Sequence, residues 1–131
     1  MNVGDLIASS SVKVERINLV MYAGASGDFN QIHWNETVAT QVGLPDVIAH
    51  GMYTQAQLGR LLVEWLGDPG RIVSFSVRFS APVVVPQDGG ARLELQATVA
   101  AIDGDMITVA LSATCDGVEV VKDAVATVRA A

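Results

Sequence analysis

Residues 50–66 read as one long helix that is apolar around most of its girth. Met52, Ala56, Leu58, Leu61, Leu62, Val63, Trp65 and Leu66 leave only a narrow polar stripe of Gln57, Arg60 and Glu64. Such a helix must be covered on several sides. Gly67-Asp68-Pro69-Gly70 ends it. From there to the C-terminus the pattern is that of strands. Phe75, Val77 and Phe79 alternate with Ser74, Ser76 and Arg78. Leu93, Leu95, Ala97 and Val99 alternate with Glu94, Gln96 and Thr98, and Ile107, Val109, Leu111 and Ala113 with Thr108, Ala110 and Ser112. A last run covers Val118 to Arg129. Period two is the mark of a half-buried strand. Asp103-Gly104 and Asp116-Gly117 suit tight hairpin turns, and Asp88-Gly89-Gly90 marks another turn. The pattern predicts an antiparallel meander, with a first short strand over Ser11–Ile17 added at an edge. The fold class is α+β: a curved antiparallel β-sheet wrapped around one long central helix.

Two shorter helices are predicted before it. Asn18 can cap one over Leu19–Ala25, stopped by Gly24 and Gly27. The other spans Glu36–Val42 and ends at Gly43 and Pro45. A chain of 131 residues predicts a single domain over 1–131, large enough for a real core. Half the residues are hydrophobic and 17% are charged, so some apolar surface is expected in a subunit interface or an apolar pocket. The net charge of −6 argues against a nucleic-acid partner and against attraction to acidic membranes. No run approaches membrane-spanning length, and the N-terminus lacks a charged-then-apolar signal pattern, so the expected location is the cytoplasm. Cys115 is alone, which leaves no internal disulfide and suggests a small hydrophobe in a strand.

The chemistry concentrates in two segments. Ser26-Gly27-Asp28-Phe29-Asn30-Gln31-Ile32-His33-Trp34-Asn35-Glu36 has neither helical nor strand period. Ala49-His50-Gly51-Met52 opens the long helix. The chain's two histidines, His33 and His50, fall in these segments. A carboxylate and an imidazole on one loop can share a water. A glycine at a helix start offers a bare N–H to developing negative charge. Together they suggest acid–base chemistry on an activated carbonyl compound. The residues alone also allow blander roles: Asp28 as a turn or cap residue, and His33 as a structural histidine. Asn30 suits bracing the loop or hydrogen-bonding a catalytic group. His50 reads as structural, tying the helix start to a neighbouring carbonyl. Met52 and Tyr53 read as core or as the border of a pocket. Gly59, inside the helix, costs about 1 kcal/mol against alanine, so close helix–sheet packing or the need for space is expected there. Both histidines with Asp28 or Glu36 could bind zinc, but no tight ligand spacing is present, and no metal is expected.

Tyr22-Ala23-Gly24-Ala25-Ser26-Gly27-Asp28-Phe29-Asn30-Gln31-Ile32-His33 resembles the hydratase motif of the MaoC-like family. Ala49-His50-Gly51-Met52 is similar to its second signature, and Arg78-Phe79-Ser80-Ala81-Pro82-Val83 with Asp88 to the strand after its central helix. The resemblance implies the hotdog fold. It also implies (R)-specific hydration of trans-2-enoyl thioesters of CoA or acyl carrier protein to (3R)-hydroxyacyl thioesters, or the reverse dehydration, in fatty acid metabolism. It assigns Asp28 and His33 the acid–base roles and the Gly51 backbone N–H the oxyanion, with no metal and no cofactor. Some members carry a serine eight residues beyond the signature glycine. Gly59 stands there in this chain, so that role is not carried over, and Gly59 could instead open the pocket to a longer acyl chain. Gly43 to Met52, Trp65 to Gly70 and Val77 to Phe79 look particularly like the catalytic B-type subunit of the mycobacterial-type dehydratase. Such a subunit pairs with a second hotdog subunit, so a homodimer or a heterodimer is implied. Two alternatives remain. A hotdog thioesterase would use an acidic residue near the central helix to activate water, and the helix offers only Glu64, far from its Gly51 start. A non-catalytic acyl-thioester-binding subunit would not need Asp28, His33 and Gly51 together.

Overall fold

The computed structural model describes residues 1–131. Six strands and three α-helices make it up: β1 (Leu6–Val14), α1 (Arg16–Ser26), α2 (Glu36–Gln41), α3 (Gly51–Leu66), β2 (Ile72–Phe79), β3 (Ala91–Asp103), β4 (Met106–Cys115), β5 (Val118–Glu119) and β6 (Val121–Arg129). The strands form one antiparallel sheet in the order β1-β3-β4-β6-β2, with β5 paired to β4. Strand β1 lies at one edge, as its short alternating pattern suggests.

The alternation in β3 and β4 becomes a buried face. Leu93, Leu95, Ala97, Val99, Ile107, Val109, Leu111 and Ala113 all point into the core, and Leu58, Leu61, Leu62 and Leu66 of α3 pack in the same cluster. The sheet curls around α3, and the architecture is the expected α+β hotdog. Burying each such leucine is worth about 1.5–3 kcal/mol. The burial of α3 is one-sided, however. Met52, Ala56, Arg60 and Glu64 run along an exposed stripe, so the open side is wider than the polar residues alone indicate. Met52 is exposed rather than core.

Several local details differ from the sequence expectations. Helix α1 begins at Arg16, and Asn18 lies inside its first turn. The Asn18 side chain accepts the Glu15 N–H at 2.8 Å as half of a capping box. The meander is limited to β3-β4-β6, because β2 crosses to the far edge and pairs with β6. The last run is broken at the buried Val120, whose N–H bonds Ala113, and bends again at Asp123 with φ 50°. Asp116-Gly117 forms its hairpin with both residues at positive φ, as a type I′ turn requires. At the other hairpin the turn pair is Gly104-Asp105, one residue later than Asp103-Gly104, because Asp103 still pairs with Met106. Cys115 is a buried residue of β4, where burial raises its thiol pKa.

One glycine is fixed by a close approach. Gly90 has φ 62°, and a Cβ there would run into the Val14 carbonyl where β1 passes into α1. Gly90→Ala is therefore expected to cost about 1–3 kcal/mol, combining backbone strain with the clash. A urea midpoint unchanged from wild type would show that this turn shifts freely.

Candidate active site

The segment between α1 and α2 has no regular period because its side chains bond its own backbone. Asp28 Oδ1 accepts the Asn30 N–H at 3.1 Å, and Asn30 Oδ1 accepts the Ile32 N–H at 3.2 Å. Such Asx turns lead into a short 3₁₀ turn, Gln31–His33. Trp34 Nε1 donates to the Phe29 carbonyl at 3.0 Å and closes the loop. Asn30 thus braces the loop.

His33 is buried, and its Nδ1 lies 2.7 Å from the Ile48 carbonyl. A carbonyl can only accept, so Nδ1 carries the proton and Nε2 keeps its lone pair in the neutral ring. Nε2 faces Asp28 Oδ2 at 3.9 Å. That gap is too long for a direct hydrogen bond and suits a water bonded to both groups. Burial lowers the His33 pKa below 6.5. The Ile48 hydrogen bond opposes this, His50 adds to it, and Asp28 opposes it in turn.

His50 is the N-cap of α3 and is also buried. Its Nε2 donates to the Asp28 backbone carbonyl at 3.0 Å, while Nδ1 has no partner. The His33 and His50 rings stack with centroids 3.7 Å apart and planes 19° from parallel. Tyr22 meets His50 edge-on at 4.8 Å and Tyr53 at 5.5 Å. Burial raises the Tyr53 pKa. The His50 side chain makes no cap bond, and the N–H groups of Gly51 and Met52 make no hydrogen bond within the chain. They are the free donors at the positive end of a sixteen-residue helix.

Asp28, His33 and His50 present ligand atoms within 4.8 Å of one another. The arrangement suits a metal poorly. Lone pairs lie in their ring planes, and two nearly parallel, stacked rings cannot aim theirs at one ion about 2.0–2.1 Å away.

A cleft of about 370 Å³ opens over Asp28 and His50, lined by Tyr22, Ser26, Asp28, His50, Gly51, Met52 and Phe79, with His33 behind this lining. Met52 therefore borders the site, while Tyr53 packs on the core beside Tyr22. Gly59 lines neither this cleft nor the cavity next to it. A Cβ at Gly59 would lie 3.6 Å from the Phe75 ring, an ordinary contact, so space there does not demand glycine.

Two contributors have no counterpart among the residues singled out by sequence. Arg16 donates from Nε to the Val85 carbonyl at 2.5 Å, and pairs with Glu36 at 3.0 Å and Asp46 at 2.8 Å. It ties α1, α2 and the segment before Ile48 together. That segment is held further by Ala49 N–H to Val83, Val85 N–H to Val47 and Ile48 N–H to Ile32. Phe79, read in the sequence as a strand residue of the Arg78–Val83 segment and not as a site residue, lies half-exposed over Gly51. Neither role has a local signal in the sequence, since each depends on a partner brought in by the fold.

The MaoC-like domain model matches residues 4–118. The chain belongs to the MaoC-like family. This MaoC-like chain is 42% identical over 69 residues to 3-hydroxyacyl-thioester dehydratase X of Mycobacterium tuberculosis, covering 53% of the chain and 24% of that protein. It is 32% identical over 119 residues to 3-hydroxybutyryl-CoA dehydratase of Methylorubrum extorquens, covering 89% of the chain and 73% of that relative. A solved structure described as a MaoC-like dehydratase superposes with a TM-score of 0.97 at 37% identity, over all of this chain and 41% of the other. The chain thus spans well under two thirds of some relatives it matches.

His33 is expected to titrate below 6.5 when its ring signals are followed by NMR. The unfolded chain then takes up the proton first as pH falls. The stability His33 contributes is complete above its unfolded pKa and is lost as pH drops through the lower folded value. A midpoint at or above 6.5 would mean that the Ile48 hydrogen bond and Asp28 together outweigh burial.

Proposed function

We propose that this chain is an (R)-specific enoyl-thioester hydratase, or a 3-hydroxyacyl-thioester dehydratase in the reverse direction, acting on acyl-CoA or acyl-carrier-protein thioesters. One observation carries the reading: a buried neutral His33 with its free Nε2 3.9 Å from Asp28, beside the unpaired N–H of Gly51. Hydration needs a base for the water, an acid for the α-carbon and a donor for the thioester oxygen. A water between Asp28 and His33 adds its oxygen to the β-carbon. Its proton passes through the pair to the α-carbon, and the Gly51 N–H stabilises the enolate-like oxygen meanwhile. His50 holds the Asp28 backbone and backs the His33 ring. No cofactor or metal enters these steps.

A thioesterase is less well supported. One that drew its acid from the central helix would have only Glu64, which sits thirteen residues beyond Gly51, about 20 Å along the helix, and pairs with Arg60.

Purified wild-type chain is expected to consume the absorbance of trans-2-enoyl-CoA and yield the (3R)-hydroxy product. Asp28→Asn and His33→Ala are each expected to lose about 10²–10⁴-fold in kcat while staying folded. Losses under tenfold in both would reassign the chemistry.

We also propose that residues 1–131 act as one hotdog unit beside a second, either a copy of itself or, as in the mycobacterial-type dehydratase, a different hotdog subunit. Support comes from apolar surface left uncovered: Val20, Met21, Phe29 and Trp34 near the site, and Val73 on the edge strand β2. Light scattering is expected to give a dimer for the chain alone if the partner is a copy. A folded monomer silent toward enoyl-CoA would point to the heterodimer.

A further inference from the structure

We propose that the Phe79 ring is the wall that sets how long an acyl chain this site accepts, by separating the catalytic cleft from an apolar cavity beyond it. The idea rests on the enoyl-thioester reading and names the residue that decides its chain-length preference. Two cavities meet at the start of α3. One is the cleft carrying Asp28 and His50. The other, of about 390 Å³, is bordered by Ile48, Ala49, Thr54, Ala81, Val83 and Val120. Gly51 and Phe79 line both, and no other residue does. The ring lies so close over Gly51 that a Cβ there would come within 2.9 Å of it. Phe79 is 51% exposed at the end of edge strand β2, so core packing does not lock the ring.

A thioester with its oxygen on the Gly51 N–H sends two arms away from that point. Its α- and β-carbons must face Asp28 and His33, so the acyl arm starts in the cleft. The second cavity has a mainly apolar wall, which suits an alkyl tail. The amide-bearing arm of CoA or a carrier protein would lose its water there without gaining partners. With the ring in place the tail stops at Phe79. With the ring trimmed the two spaces join, and each methylene newly buried strengthens binding by about fourfold. Gly59, which reaches neither space, does not decide chain length on this account.

The test compares wild type, Phe79→Ala and Phe79→Leu. Turnover is measured with crotonyl-, octenoyl- and dodecenoyl-CoA, and calorimetric binding with saturated butyryl- and dodecanoyl-CoA. Thermal melts check folding, and the leucine variant decides should the alanine variant not fold. Phe79→Ala is expected to raise the long-to-short ratio of kcat/KM by about tenfold or more, and Phe79→Leu by less. An unchanged ratio, or equal losses at every length, overturns the proposal. If wild type turns over nothing, alone or beside a second hotdog subunit, the enoyl-thioester reading fails by itself and the binding ratio judges Phe79. Dodecanoyl-CoA gaining over butyryl-CoA in the variants then supports the wall; no gain, or no binding at all, overturns it.

Discussion

The burial of α3 in the curve of the sheet is the constraint on which the other features depend. Leu58 and Leu62 are fully enclosed, and they meet the inward faces of β3 and β4 in one cluster. A helix held that firmly has fixed ends. Its C-terminus is closed by Gly67 in the left-handed region, with its N–H bonded to Val63. Its N-terminus receives no side-chain cap, and the first two N–H groups stay open to a ligand. The same packing that stabilises the fold therefore positions a partial positive charge at one place on the surface.

Asp28 and His33 are brought to that place by backbone rather than by side-chain packing. The Val47–Ala49 segment is stitched to Val83 and Val85, and one of its carbonyls, that of Ile48, chooses the tautomer of His33. The Asp28 carbonyl in turn takes the His50 N–H. Two buried imidazoles are tolerable because each has a satisfied donor. The unpartnered His50 Nδ1 costs about 1–3 kcal/mol, a local expense of placing the ring behind His33. Stacking at 3.7 Å also makes a double positive charge unfavourable, which helps keep a lone pair on His33. Arg16 secures the far side by joining Glu36, Asp46 and Val85.

Features set within a few residues were legible in the sequence, and features set across the fold were not. Asp116-Gly117 carries its own turn geometry and needs nothing distant. The long helix and the alternating strands announce themselves by period. The Asp28–His33 segment was recognisable as a motif, and the short-range bonds of Asp28 and Asn30 explain why it looked aperiodic. Strand β2 was legible as a strand but not as the far edge, since its pairing with β6 is a long-range choice. Asn18 was legible as a capping residue but sat at the wrong position, because Glu15 and Asn18 cap reciprocally and either could start the helix. Met52 looked like core by composition, but it falls on the exposed stripe of α3 with Ala56, Arg60 and Glu64 and borders the cleft.

Gly51 illustrates how one position can be fixed from two directions. Viewed from the chemistry, glycine leaves the helix's first N–H open to an incoming oxygen. Viewed from the packing, any Cβ would press into the Phe79 ring at 2.9 Å. The second restraint comes from a strand on the other side of α3 and has nothing to do with helix geometry. Phe79 can give way, being half-exposed, but it borders both cavities, so its movement would reshape them. A side chain at 51 would thus alter the shape of the cleft before it altered the donor. Gly51 and Phe79 are in this sense coupled, and residue choice at either position constrains the other.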